Sequence, residues 1–229
     1  DDLDLILVST ITPNTVIPST ACEVQKELGA VNATCFDISA ACSGFVYAYN
    51  TAQAYIAAGM YQNILVIGSE TLSGIVNWKD RGSCILFGDG AGAAVIGEVE
   101  DGLGVLGIDL GSDGSGGKYL FQPAGGSRRP ASHETVDARE HFIHMNGNEV
   151  FKFAIQIMGK TAKRALAKAG LEPADVDLLV PHQANIRIIN SAAKRLKMPM
   201  EKVWVNVDKY GNTSAASIPI ALCEAQEQG

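Results

Sequence analysis

Asp37-Ile38-Ser39-Ala40-Ala41-Cys42-Ser43-Gly44-Phe45 is the stretch on which the reading of this chain turns. Residues 31–38 form a short apolar run that predicts a buried strand. Residues 43–58 carry Ala48, Ala52, Ala54, Ala57 and Ala58 and predict a helix of small residues, stopped by Gly59. Cys42 therefore falls at a strand-to-helix turn. Backbone N–H groups and the helix dipole favour negative charge at such a turn. A thiol there is expected to become a thiolate, the nucleophilic form. Ser39, Ala40, Ala41, Ser43 and Gly44 keep bulk away from the sulfur. A lone cysteine more often packs in a core than reacts, so the assignment of Cys42 depends on the downstream residues.

Outward from this turn, strands and helices alternate. Further strands are predicted at residues 3–9, 63–68, 85–87, 93–99, 105–110, 176–180 and 203–207, and helices at 19–28, 145–169, 185–196 and 213–226. Continuous apolar strands alternating with helices predict mainly parallel sheets in an α/β fold. The acidic, glycine-bearing run at 98–104 divides two halves of similar plan, residues 1–100 and 101–229. Residues 111–139, with Pro123, Pro130 and many glycines, read as the least ordered part.

Composition narrows the function. A net charge of −7 argues against nucleic acid as the main partner. No apolar run approaches the ~18–20 residues of a membrane span. The five cysteines (22, 35, 42, 84 and 223) are scattered, with no C-x-x-C pair. Neither a disulfide framework nor a zinc site is indicated, and reduced thiols in a cytosol-like compartment are the simpler reading. The opening Asp1-Asp2-Leu3-Asp4 has neither Met nor a basic leader and reads as a cut within a domain. His141-Phe142-Ile143-His144 has no third ligand to make it a metal site. The run from Gly102 to Gly107 fits G-x-G-x-x-G, but no helix comes after it.

Two later turns repeat the layout of the first. Pro181-His182-Gln183-Ala184-Asn185 and Gly211-Asn212-Thr213-Ser214-Ala215-Ala216-Ser217 each follow a predicted strand and open a helix. Sites in α/β folds assemble at such strand ends. A thiolate can attack a carbonyl, while imidazole and side-chain amide can hold a developing oxyanion or enolate. The order Cys, His, Asn also occurs in papain-like proteases, with the His about 130–150 residues after the Cys. Cys42 and His182 are 140 apart, but the local protease signature is missing.

These three motifs, with Phe87-Gly88-Asp89-Gly90-Ala91-Gly92-Ala93-Ala94 and Pro18-Ser19-Thr20-Ala21-Cys22, resemble the β-ketoacyl-[acyl-carrier-protein] synthase III family over nearly the whole chain. The resemblance implies a thiolase-like fold, two similar βα halves packed as αβαβα layers. It implies a cytoplasmic homodimeric acyltransferase that initiates type II fatty acid synthesis without a metal or redox cofactor. Cys42 would take the acyl group of acetyl-CoA or another short acyl-CoA. Malonyl-acyl carrier protein would lose CO2 while His182 and Asn212 hold its thioester oxygen, and the carbanion would attack acyl-Cys42.

By the same resemblance Arg81 matches a contact to the adenine end of CoA. Asn148 and Phe151 line the pantetheine channel, and Asn185 lies beside the catalytic His. Ile17 lines the acyl pocket of the partner subunit, where its small size would admit a branched or longer starter. Lys152, Arg187, Lys194 and Arg195 match docking positions for acyl carrier protein, and a basic cluster on an acidic protein independently suits an acidic partner. Family members extend further at both ends, so the chain is expected to lack a front that grips CoA and a glycine-rich tail that completes the oxyanion hole. The rivals are a polyketide starter or chalcone-synthase-like enzyme of the same fold, and a non-catalytic fragment.

Overall fold

Leu5, Ile6, Leu7, Val8 and Ser9 are all fully shielded from solvent. They form β1 (Leu5–Ser9), one of the two inner strands of the main sheet. In the computed structural model, which describes residues 2–100 and 102–228, β1 is followed by α1 (Thr20–Leu28), β2 (Thr34–Ile38), α2 (Gly44–Ala57), β3 (Ile64–Thr71) and β4 (Asp89–Ile96). The sheet order is β2-β1-β3-β4. β1 runs parallel to both neighbours, with Leu5 opposite Thr34 on one side and Ile64 on the other, and β4 is antiparallel to β3.

A strand covered on both faces needs apolar residues at every position, which is what β1 has. Leu5 and Leu7 pack with Phe45, Ala48 and Ala52 of α2; Ile6 and Val8 pack with Ala21 of α1 and with Ala30 and Ala33. Each such aliphatic side chain contributes roughly 1.5–3 kcal/mol by leaving water. The start of α1 is fixed by Asp37 at the end of β2. Its carboxylate accepts from Thr20 N and Ala21 N, both at 2.8 Å. It thus satisfies two of the amides a helix start leaves open.

The second half holds the hairpin β5 (Leu120–Phe121) and β6 (His144–Met145), a short α3 (His133–Asp137), the long α4 (Gly147–Ala169), α5 (Ile186–Leu196), α6 (Val207–Tyr210) and α7 (Ser217–Gln228). Asn146 caps α4, accepting from Glu149 N at 3.3 Å. Ala162 and Leu166 of α4 pack against Ile189, Ala193 and Leu196 of α5. α7 lies on β4, and the turn before it lies on β3. No helix among the described residues is long and apolar enough to cross a membrane.

Several expectations need correction. The glycine run at 88–92 is no turn between two strands. Asp89–Ile96 is one continuous strand, and Phe87 makes only an isolated bridge to Asn212. The glycines instead make room for the second half. A Cβ on Gly88 would lie 2.2 Å from the Tyr210 carbonyl oxygen, and one on Gly92 would lie 2.8 Å from Ile220 N. The predicted strands at 105–110, 176–180 and 203–207 form no ladder; one bridge, Leu179 to Val203, joins the latter two. An apolar run states burial, whereas a ladder also needs an aligned partner. Residues 111–139 are better organised than expected. They contain α3, its Ser132–Thr135 capping box, and Arg129 paired with Glu140 and, at 3.1 Å, with Glu134.

Candidate active site

Cys42 is the second residue of a tight 3-10 turn, Ala41–Ser43, that runs directly into α2. Ala41 sits at φ 46°, a left-handed conformation that a residue with a Cβ adopts at a cost. Gly44 opens the helix where only glycine fits, since a Cβ there would meet Ser9 Oγ at 1.8 Å. The turn thus holds Cys42, half-buried, above the end of β1.

The second turn has the same form. Residues Ser214–Ala216 make a 3-10 turn that runs into α7, and Ser214 sits at φ 49°. The main chain of Asn212 is pinned to the first half: its N–H donates to Leu86 O at 2.9 Å, and its carbonyl accepts from Gly88 N at 3.0 Å. Asn212 Oδ1 accepts from Ser214 N at 2.9 Å. The Ser214 hydroxyl donates to Glu70 Oε1 at 3.1 Å, and Glu70 Oε2 accepts from Thr10 Oγ1, Ile11 N and Thr12 Oγ1 at 3.3, 3.1 and 2.6 Å. Glu70 is 1% exposed and Ser214 2%. The Ser214 turn packs against the Cys42 turn.

His182 precedes Gln183, whose side chain makes three hydrogen bonds. Gln183 N donates to Ser217 Oγ at 2.7 Å; its Nε2 donates to Pro181 O and Trp204 O at 2.9 and 3.0 Å; its Oε1 accepts from Asn206 N at 2.9 Å. This fastens the His182 loop to the first residue of α7. Gln183 thus ties the residue after His182 to the start of α7, and the Ser214 turn, bonded to Asn212 Oδ1, packs against the Cys42 turn where α2 begins.

Electrostatics separates their roles. Burial holds the His182 imidazole down at about 4, so the ring is neutral near pH 7. Its Nδ1 has no hydrogen-bond partner among the described residues, so neither tautomer is fixed from that side. The Cys42 thiol is pushed up, chiefly by burial. The Ser214 hydroxyl pulls it down, the Glu70 carboxylate pushes it up, and its own backbone N–H pulls it down. This differs from the expectation of a resting thiolate: the helix start is present, but burial and the nearby Glu70 carboxylate disfavour the charged form.

The other predicted positions are spread more widely. Arg81 is exposed, in a loop where Asp80 accepts from Gly82 N at 2.9 Å and Ser83 Oγ at 2.6 Å. Asn148 is exposed and Phe151 half-buried in the first turns of α4. Asn185 caps α5, accepting from Arg187 N at 2.8 Å. Ile17 is 86% exposed. Lys152 pairs with Glu149 at 2.6 Å, while Arg187 and Lys194 stand exposed on α5. The stem of Arg195 lies across α4 at Gly159, where a Cβ would come within 2.7 Å of its Cδ. A groove of about 660 Å³ beside it, bounded by Lys163, Leu166, Met198 and Lys202, is lined by none of the three turns. His141 bonds to Thr135 Oγ1 at 2.9 Å, and His144 stacks on Phe121.

Sequence reasoning missed Glu70, Ser214, Gln183 and Ser217. One signal was available: Glu70 falls in phase with Ile64, Val66 and Gly68, all buried, so period-two alternation carries the strand past Gly68 with a carboxylate on its inner face.

The sequence model of 3-oxoacyl-[acyl-carrier-protein] synthase III matches residues 36–114, and the model of its C-terminal part matches residues 166–229. A β-ketoacyl-[acyl-carrier-protein] synthase III of Caldanaerobacter subterraneus subsp. tengcongensis is 61% identical over 229 residues, covering 100% of this chain and 69% of that protein. The crystal structure of the synthase III of Aquifex aeolicus is 48% identical with a TM-score of 0.89, covering 99% of this chain and 69% of that one. The Thermus thermophilus structure is 45% identical with a TM-score of 0.90, covering 100% and 70%. The fold is thus thiolase-like, as its motifs imply, and the polyketide-starter reading is not the favoured one. The chain belongs to the 3-oxoacyl-[acyl-carrier-protein] synthase III family, the acyltransferases that initiate fatty acid synthesis.

Proposed function

We propose that Cys42 carries the acyl group and that His182 and Asn212 hold the enolate of the extender. The observation that carries this reading is the commitment of Asn212 Oδ1 to Ser214 N. With its oxygen held on Ser214 N, the amide is oriented to present its N–H2 to the site, and a donor is what a developing oxyanion requires.

In the first step the Cys42 sulfur attacks the carbonyl of a short acyl-CoA. The carbonyl-to-CoA sulfur bond breaks, and the thiol proton leaves with CoA. In the second, malonyl-acyl carrier protein loses CO2, and the electron pair of the broken C–C bond forms an enolate. Neutral His182 and Asn212 donate to its oxygen. In the third, the carbanion attacks acyl-Cys42, the bond to sulfur breaks, and the sulfur takes up a proton. The products are 3-oxoacyl-acyl carrier protein, CoA and CO2. The raised Cys42 thiol suits this order, because a protonated cysteine survives until substrate arrives.

The reading includes a homodimer in the cytoplasm and no metal or redox cofactor, since each step needs only a nucleophile and hydrogen-bond donors. Arg81, Asn148 and Phe151 would hold CoA or pantetheine beside Asn185, and Ile17 would reach the acyl pocket of a second copy. Lys152, Arg187, Lys194 and Arg195 would receive the acidic carrier protein. Intact-protein mass after mixing with acetyl-CoA or isobutyryl-CoA tests the first step. One acyl group gained by the native chain and lost in Cys42→Ser is the expected result; acylation retained in Cys42→Ser would sink the assignment.

A further inference from the structure

The buried carboxylate of Glu70 has no part in the chemistry above. It lies at the end of β3, 1% exposed, and collects hydrogens from two segments that are far apart in sequence. Thr10, Ile11 and Thr12 bind one oxygen; Ser214 binds the other. Ser214 needs such an anchor. It occupies the left-handed region at φ 49°, which is unfavourable for a residue with a Cβ and must be held by its surroundings. The amide of Ser214 in that conformation is what bonds Asn212 Oδ1 at 2.9 Å. The chain of contacts runs from carboxylate to hydroxyl, through a strained backbone, to the side-chain amide two residues back.

We infer that Glu70 is a positioning residue for the decarboxylation step: by holding the Ser214 hydroxyl it keeps Ser214 left-handed, and so keeps the Asn212 amide turned with its N–H2 toward the substrate. The inference rests on the proposed role of Asn212. Acylation of Cys42 does not use Asn212, so the effect should separate the two half-reactions. Glycine reaches φ near +50° without strain. A glycine at 214 should therefore hold the turn without the anchor, although it lacks the hydroxyl.

The test measures acyl transfer to Cys42 by intact mass and CO2 release from malonyl-acyl carrier protein, in the native chain and in Asn212→Ala, Ser214→Ala, Ser214→Gly, Glu70→Ala and the double variant Glu70→Ala/Ser214→Gly. A misplacement of about 1 Å is worth about 10²-fold in rate. Glu70→Ala and Ser214→Ala should lose CO2 release on that scale, whereas acylation, which the two groups touch only through the Cys42 thiol, should shift far less and in opposite directions, up in Glu70→Ala and down in Ser214→Ala. Ser214→Gly should retain more CO2 release than Ser214→Ala, and the double variant should recover much of what Glu70→Ala loses. Ser214→Gly falling as far as Ser214→Ala, or both matching the native rate, overturns the inference. Should Glu70→Ala not fold, the Ser214 pair decides the question alone. Native CO2 release in Asn212→Ala would instead remove the proposed role of Asn212, an outcome distinguishable because it does not involve Glu70.

Discussion

The Cys42 turn and the Ser214 turn are the same backbone device used twice. Each begins with a non-glycine residue at φ 46° or 49°, makes one 3-10 turn, and passes straight into a helix. They differ in what holds the strain. Around Cys42 the neighbours are alanines and a glycine, and the turn is closed by backbone, with Ser43 N on Ala40 O at 3.2 Å. Around Ser214 the turn is braced by side chains: Asn212, Ser214 and Glu70. The small residues of the first turn leave the sulfur open on its own side, with only the Ser214 hydroxyl and the Glu70 carboxylate of the other turn acting on it, whereas an oxyanion donor must be turned one way and kept there. Identical geometry thus serves an atom that reacts and an amide that waits.

Substitutions can break this comparison. The largest effect is expected at the reacting groups. Asn212→Ala should lower overall condensation by about 10²–10³-fold, the usual loss for one oxyanion donor, while leaving Cys42 acylation intact. Gly68 and Gly44 probe how each turn is seated. A Cβ on Gly68 would lie 2.2 Å from the Ala215 carbonyl, an atom of the main chain, and one on Gly44 would strike the Ser9 side chain. Overpacking of this kind costs about 1–3 kcal/mol. Gly68→Ala should lie at the upper end and Gly44→Ala below it, as read from urea unfolding midpoints. A reversed order would mean that the first turn is the stiffer of the two.

The third turn gives a pH signature. Folded His182 binds a proton only at about 4, against about 6.5 for an unfolded histidine. Between those values the unfolded chain holds the extra proton, so stability is complete above pH 6.5 and is lost as pH falls toward 4. The loss should be roughly 1–3 kcal/mol and should be missing from that window in His182→Gln, whose unfolding free energy is to be followed from pH 7 to 4. The smallest effect sharpens the comparison most. Ala41→Gly should stabilise by about 0.5–1 kcal/mol, because glycine relieves the left-handed strain and surrenders only its own flexibility. Ser214→Gly should not stabilise, because it also removes the bond to Glu70. Equal gains at both positions would show that the two turns carry the same strain in the same way.

Much of this was legible in the sequence. The helix-opening turns at Cys42, His182 and Asn212 announced themselves through small residues, Pro181 and Gly211, and the predicted helices came within a few residues of their bounds, but only Cys42 follows a strand, Asn212 coming after the short helix α6. The glycines of β4 hid where the strand begins, since it starts at Asp89 and runs through them, with the second half packed closely against Gly88 and Gly92. The left-handed residues could not be seen, because alanine and serine are not the usual occupants of that region and tertiary contacts impose it. Glutamate and glutamine are residue types mostly found at the surface, and only the fold shows Glu70 and Gln183 closed in. The raised Cys42 thiol escaped for a related reason: a helix start can be read from a pattern, but the burial of the sulfur and the carboxylate beside it cannot.

Gln183 has a bearing on time as well as on shape. Its own amide hydrogen is spent on Ser217, and the carboxamide at its tip receives the amide hydrogen of Asn206. Neither hydrogen can trade with solvent deuterium unless the His182 loop, the start of α7 and the segment after Trp204 come apart together. Those two amides should therefore exchange late and in step. Such exchange would mark the histidine of this site as mounted on a part that does not breathe.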